Sequence, residues 1–182
     1  MAHPGLAISK LFRPGIEGRY SNDPHDTGGE TYCGIARNKH PEWIGWGEVD
    51  RTKARKENMN ADQLFNRLSP LLQSFYRKEF WAPIHGDEIK DQALADFLFA
   101  CAVNIGPTVA IKRLQRAIGV EADGKIGERT LAAMEAKETL GRFAEQMRDF
   151  YQHIGKNNNA RFLKGWLNRV AKYVTNDGMP VA

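Results

Sequence analysis

Apolar positions recur at three- and four-residue spacing along most of the chain, the period of an amphipathic helix. Leu6, Ala7, Ile8, Leu11 and Phe12 predict a first helix that Pro14-Gly15 should end or bend. Asn60 can cap a short helix through Leu68. Ser69-Pro70 then reads as a fresh start, carrying Leu71, Leu72, Phe75 and Tyr76 to Trp81, with Pro83 as the stop. From Asp91 the chain is most apolar: Ala93, Leu94, Phe97, Leu98, Cys101, Ala102 and Ile105 predict a central buried helix. Gly106-Pro107 punctuates it, and a helix with Ile111, Leu114 and Ile118 follows to Gly119. A glycine-punctuated turn over 120–130 leads to a short helix through Glu135. Two more stripes close the pattern: Phe143, Met147, Phe150, Tyr151 and Ile154, then Phe162, Trp166, Val170 and Tyr173.

One stretch breaks this period. Residues 17–35 are dense in Gly, Asn, Asp and Thr, too polar for core and too rich in turn formers for a helix. Strand signal is confined to Tyr20 to Ile35, where a hairpin or three-stranded sheet is expected. Residues 38–55 read as irregular, with Trp43 and Trp46 set among Pro41, Gly45 and Gly47. The class predicted is mainly α, of the α+β kind.

Composition narrows the function. The 182 residues are 42% apolar and 26% charged, as in a globular protein of one domain or a domain with a small lobe. No apolar run reaches the roughly 18–20 residues of a membrane span, so no stable membrane insertion is expected. The opening residues carry no charged region followed by an apolar one, so no signal peptide is expected. Cys33 and Cys101 are far apart and form no Cys/His cluster, which predicts two reduced thiols and no metal or cofactor. His25 has no partner at metal-ligand spacing. The net charge of +4 is concentrated between Arg142 and Thr175, where Glu145 and Asp149 are the sole acids. That favours an anionic polymer or a solvated helix face; no nucleic-acid-binding motif accompanies it, so no nucleic-acid partner is expected.

The polar stretch carries the chemistry. Glu17 and Asp26 flank it and Thr31 follows. A hairpin could bring an acid, a base and a water-holding hydroxyl together, as glycosidic hydrolysis requires. Glu17 could equally be a surface carboxylate after a helix, Asp26 a turn cap and Thr31 a plain strand residue. Tyr20, Trp43 and Trp46 could stack on sugar rings or pack in the core; Trp81 reads as core. Asn104, at the end of the apolar helix, could cap the turn or hold substrate.

Glu17-Gly18, Tyr20, Asn22-Asp23-Pro24, Asp26, Gly28-Gly29, Thr31 and Gly34-Ile35 together resemble the signature of glycoside hydrolase family 108, lysozyme-like N-acetylmuramidases common among phage endolysins. Val103-Asn104-Ile105-Gly106, Asp123-Gly124 with Ile126-Gly127 and Thr130, and Lys164 to Val170 are similar to the peptidoglycan domain that follows that module. Arg19 stands where the family usually has a second Gly, and Ala100-Cys101 where an Asp is common. The resemblance implies a lysozyme-like fold, with a helical lobe and a small β lobe flanking a saccharide cleft. It implies a hydrolase module over 1–90 and a helical peptidoglycan-domain-like region over 91–182 in one unit. It also implies Glu17 as general acid, with Asp26 and Thr31 holding water. Tyr20, Trp43, Trp46 and Asn104 are then the candidate substrate contacts. The partner implied is bacterial peptidoglycan, acted on by a monomer made in the host cytoplasm and released to the wall by a separate permeabilising protein. A lytic transglycosylase and a non-enzymatic wall-binding module are the alternatives.

Overall fold

The structure, a computed structural model, describes residues 1–12, 20–22, 29–54, 61–156, 160–176 and 178–181. By its internal contacts the chain forms two compact units, Ile8–Glu79 and the pair of segments Met1–Ala7 and Phe80–Ala182.

The smaller unit is built on a short antiparallel sheet and two helices. Strands β1 (Tyr20–Ser21), β2 (Thr31–Tyr32) and β3 (Ile35–Ala36) lie in that order. Tyr20 pairs with Tyr32, Ser21 with Thr31, and Thr31 in turn with Ala36. Two residues, Cys33 and Gly34, join β2 to β3, both with positive φ (47° and 80°). This is the backbone of the tight turn that matches strand twist, and it favours Gly or Asn at both places. Cys33 occupies the first despite its side chain, and Tyr76 braces it: the buried phenol donates a 2.6 Å hydrogen bond to the Cys33 carbonyl. Tyr76→Phe removes that bond from a buried carbonyl. The expected cost is about 1–2 kcal/mol, read as a lower thermal midpoint with unchanged far-UV circular dichroism.

Two sequence expectations change here. Residues 38–55 are not wholly irregular: helix α2 spans Trp46–Ala54. Its signals are Trp46 and Val49 on one buried face, Glu48 in the first turn and Arg51 and Lys53 in the last, where each charge suits the helix dipole. The turn residues just before it masked that pattern. Nor does Ser69-Pro70 start a new helix. Helix α3 runs unbroken over Ala61–Tyr76 with Pro70 inside it. Leu68, Leu72 and Tyr76, spaced by four, are all buried, so one continuous apolar stripe outweighs the backbone hydrogen bond that proline cannot donate. A π-helical turn, Arg77–Trp81, continues it and buries Trp81 completely, as expected for core. The expected caps and stops at Pro14, Gly15 and Asn60 lie outside the described residues.

In the larger unit the expected helices are present. Helix α1 (Pro4–Leu11) begins there. Asp91 caps α4 (Gln92–Ile105), its Oδ1 accepting from the Ala93 and Leu94 amides at 2.7 and 3.1 Å. Leu94 to Ala102 are buried without exception, so α4 is the central helix. It packs on α5 (Pro107–Ala117) and α7 (Thr139–Gly155), and α7 packs on α8 (Ala160–Ala171). Phe97 meets Phe143 at 5.0 Å between ring centroids, and Tyr151 stacks on Trp166 at 5.5 Å. Helix α6 (Glu128–Ala133) follows the glycine-punctuated turn.

Gln115 organises that turn. It is 1% exposed. Its amide nitrogen donates to Asp123 Oδ1 and the Lys125 carbonyl, both at 2.8 Å, and its oxygen accepts from the Gly124 amide at 2.8 Å. Asp123 also accepts from the Lys125 amide, and these bonds hold its carboxyl below the usual carboxylate range. Asp123 therefore shapes the turn through a buried amide eight residues earlier.

Candidate active site

Glu17 and Asp26 lie outside the described residues. Glu17 belongs to the segment leading into β1, and Asp26 to the segment joining β1 to β2. Thr31 stands on the middle strand, half-buried, and its hydroxyl donates to the Gly29 carbonyl at 3.2 Å. The proton is used in that bond, so both oxygen lone pairs remain to accept from a water. Tyr20, on β1, is exposed, with the Lys53 ammonium 5.9 Å from its ring centre.

A third carboxylate, Glu30, sits immediately before Thr31. It pairs with Arg37 at 3.1 Å and with Lys53 at 2.5 Å. Arg37 turns its other nitrogens to Asp50 as a two-pronged pair at 2.8 and 3.2 Å, and its guanidinium lies 4.3 Å over the Trp46 ring. Hydrogen bonds from Arg37 hold the Asp50 carboxyl below its ordinary value, and the bond to Glu30 raises the Lys53 ammonium. Glu30 thus sits between two cations and ties the strand bearing Thr31 to α2. Spacing could not reveal this, because its partners are far away along the chain.

Trp43 and Trp46 are 7% and 4% exposed. Their rings meet edge to face at 5.2 Å, and Trp43 also contacts Tyr32 and Phe75. The Trp46 indole donates to the His40 carbonyl at 2.8 Å. Trp43 lies so close over Gly45 that a β-carbon there would come within 2.3 Å of the indole. Trp43 still borders a hollow of about 190 Å³ floored by Phe75, Leu71 and Ile44, with Glu42, Lys78 and Glu79 at its edge. Asn104 is half-buried in the last turn of α4. The structure therefore brings Thr31 and Tyr20 onto one small sheet, sets Trp43 and Trp46 together in a packed aromatic cluster, and leaves Asn104 in the larger unit.

Neither cysteine is in a disulfide and both are buried, and burial pushes the Cys101 thiol far up, which removes it as a nucleophile. Among the described residues no three His, Cys, Asp or Glu side chains converge as a metal site. One buried acid, Asp96 on α4, was not singled out by spacing because its neighbours are all apolar; it accepts from Gln92 at 2.6 Å.

The model of the Glycosyl hydrolase 108 family matches residues 14–106, just over half the chain and all of the Glu17-to-Ile35 segment. The chain belongs to that family. A second model, described as a Predicted Peptidoglycan domain, matches residues 109–171 of this glycosidase. The solved structure titled "Structure of Brucella abortus SagA" superposes with a TM-score of 0.62 at 24% identity, covering 92% of this chain and 86% of that one. At that identity the likeness is one of fold, mainly helical and lysozyme-like. No curated protein matches the sequence. The glycosidase is accordingly a peptidoglycan hydrolase. No helix among its described residues is long and apolar enough to cross a membrane.

Proposed function

We propose that this hydrolase is a muramidase of the phage or prophage endolysin type. It cleaves the β-1,4 bond between N-acetylmuramic acid and N-acetylglucosamine. Glu17 protonates the leaving oxygen, Asp26 holds or activates water, and Thr31 is a second water ligand. It works as a monomer, is made in the host cytoplasm, and reaches the wall after a separate protein opens the membrane. The observation that supports the chemistry is the family match over the segment carrying all three residues, together with a Thr31 hydroxyl whose proton is already committed to Gly29.

The test is product analysis on purified peptidoglycan. Hydrolysis is expected to release fragments with reducing N-acetylmuramic ends. Reducing N-acetylglucosamine ends would overturn the bond assignment, and 1,6-anhydro ends would indicate a transglycosylase. The anomer formed first reports the carboxylate spacing: inversion goes with about 6.5–9.5 Å and retention with about 5–5.5 Å. Inversion is expected, with Asp26 across a water-sized gap. Asp26→Asn should retain part of the activity if Thr31 still holds the water. A soluble variant with wild-type turnover would remove Asp26 from the reaction.

A further inference from the structure

The larger unit holds a cavity of about 250 Å³ between the start of α4 and the turn after α6. Five of its nine lining residues lie in the segment matched by the peptidoglycan-domain model and four in the glycosyl hydrolase match, far from the segment around Glu17 in sequence. Its apolar surface comes from Ile89, Leu131, Met134 and Ala136. Its charges are mixed. Lys90 and Glu135 pair at 2.7 Å, and both are well exposed. Glu88 pairs with His85 at 2.6 Å. Asp91 spends one oxygen on the α4 cap. Lys137 adds a second cation.

This lining is poorly suited to a sugar ring. Saccharide sites use aromatic faces against the C–H side of the ring, and no aromatic residue lines this cavity. It suits a short zwitterionic peptide. Small methyl-bearing residues fit the apolar surface, a terminal carboxylate fits Lys137 and an ammonium fits the carboxylates. The exposed Lys90–Glu135 pair is weak enough to exchange partners. Peptidoglycan carries such a peptide on its muramic acid, with alternating alanyl methyls, carboxylates and, in many walls, a free amine.

We propose that this cavity binds the terminal residues of the peptidoglycan stem peptide, so that the enzyme reads peptide as well as glycan. The inference rests on peptidoglycan as the substrate and assigns the peptide a place apart from the glycan chemistry.

Isothermal titration of the full chain with synthetic L-Ala–D-Glu–meso-diaminopimelate–D-Ala tests it. Saturable binding is expected, about tenfold weaker for the peptide amidated at its C-terminus and about tenfold weaker for Lys137→Glu, the loss of roughly one charge-assisted contact. The amidated peptide makes the test independent of any variant's folding, and equal thermal midpoints would clear Lys137→Glu itself. On wall material, the wild-type KM should be lower for strands bearing stems than for strands stripped by an amidase, and Lys137→Glu should narrow that ratio. No saturation at millimolar peptide, or equal affinity for the acid and amide forms, overturns the proposal. Wall hydrolysis without peptide binding would defeat this inference alone. Peptide binding without hydrolysis would defeat the catalytic reading and leave this one standing.

Discussion

Glu17→Gln is expected to lower turnover on peptidoglycan by about 10²–10⁴-fold, the usual worth of general-acid assistance. The glycosidic oxygen is a poor leaving group unless a proton reaches it as the bond breaks. Glutamine keeps the size of the side chain and its hydrogen-bonding reach but has no proton to give. Glu30, beside β2, is already engaged by Arg37 and Lys53. The measurement is the rate at which reducing ends appear from purified wall, alongside sedimentation of the variant with that wall. Binding should persist while turnover collapses. A soluble, folded Glu17→Gln protein with wild-type turnover would remove Glu17 as the acid and return the choice to the other carboxylates of the segment.

Gln115→Leu should carry the largest stability cost among polar substitutions in the larger unit, about 2–4 kcal/mol. Leucine fills a similar volume, so the loss is one of hydrogen bonds rather than of packing. It strands the Gly124 amide and the Lys125 carbonyl, and it frees Asp123, whose oxygen Gln115 now shares with the Lys125 amide. Denaturant unfolding should show a lower midpoint with little change in slope. Gln115→Glu is expected to do no better, because it sets a second carboxylate where the amide nitrogen now meets Asp123 at 2.8 Å. A midpoint within experimental error of wild type in both variants would mean that water replaces the buried amide without penalty.

Most helices were legible because their signals are local. Asp91 announces α4 by itself, and the stripes of α5, α7 and α8 need only a period of about 3.6 residues. A hairpin or three-stranded sheet was legible over Tyr20 to Ile35, and the structure has three strands there. What spacing could not supply was competition between signals. At Ser69-Pro70 a strong start signal met a buried stripe that continued through it, and tertiary burial decided. At Trp46 the glycines to either side hid a helix whose apolar face is only two residues wide. The candidate site reads from sequence as a motif, Glu17, Asp26 and Thr31 lying within one short segment of which the structure describes Thr31. Its support does not. The Glu30, Arg37, Asp50 and Lys53 network joins charges that look solvated when read singly. The burial of Trp43 against Gly45 depends on one missing β-carbon, which a count of turn formers cannot distinguish from a flexible loop.

The pairing of Met1–Ala7 with Phe80–Ala182 has a consequence for synthesis. The Ala2 amide donates to the Ile89 carbonyl at 2.7 Å, and the His3 amide to Gln92 Oε1 at 2.7 Å. On the ribosome these leading residues emerge long before their partners. The segment Ile8–Glu79 can begin to fold first, while the larger unit waits for α7 and α8 to complete its core. Elongation runs at about 5–20 residues per second, so several seconds separate the first residues from the last of their contacts. Throughout that interval Ala2 and Ala7, the buried apolar residues of the leading segment, have no finished core to enter. A helper that shields nascent chains would therefore have residues 1–7 to cover, and slowing translation within α4 should lengthen their exposure.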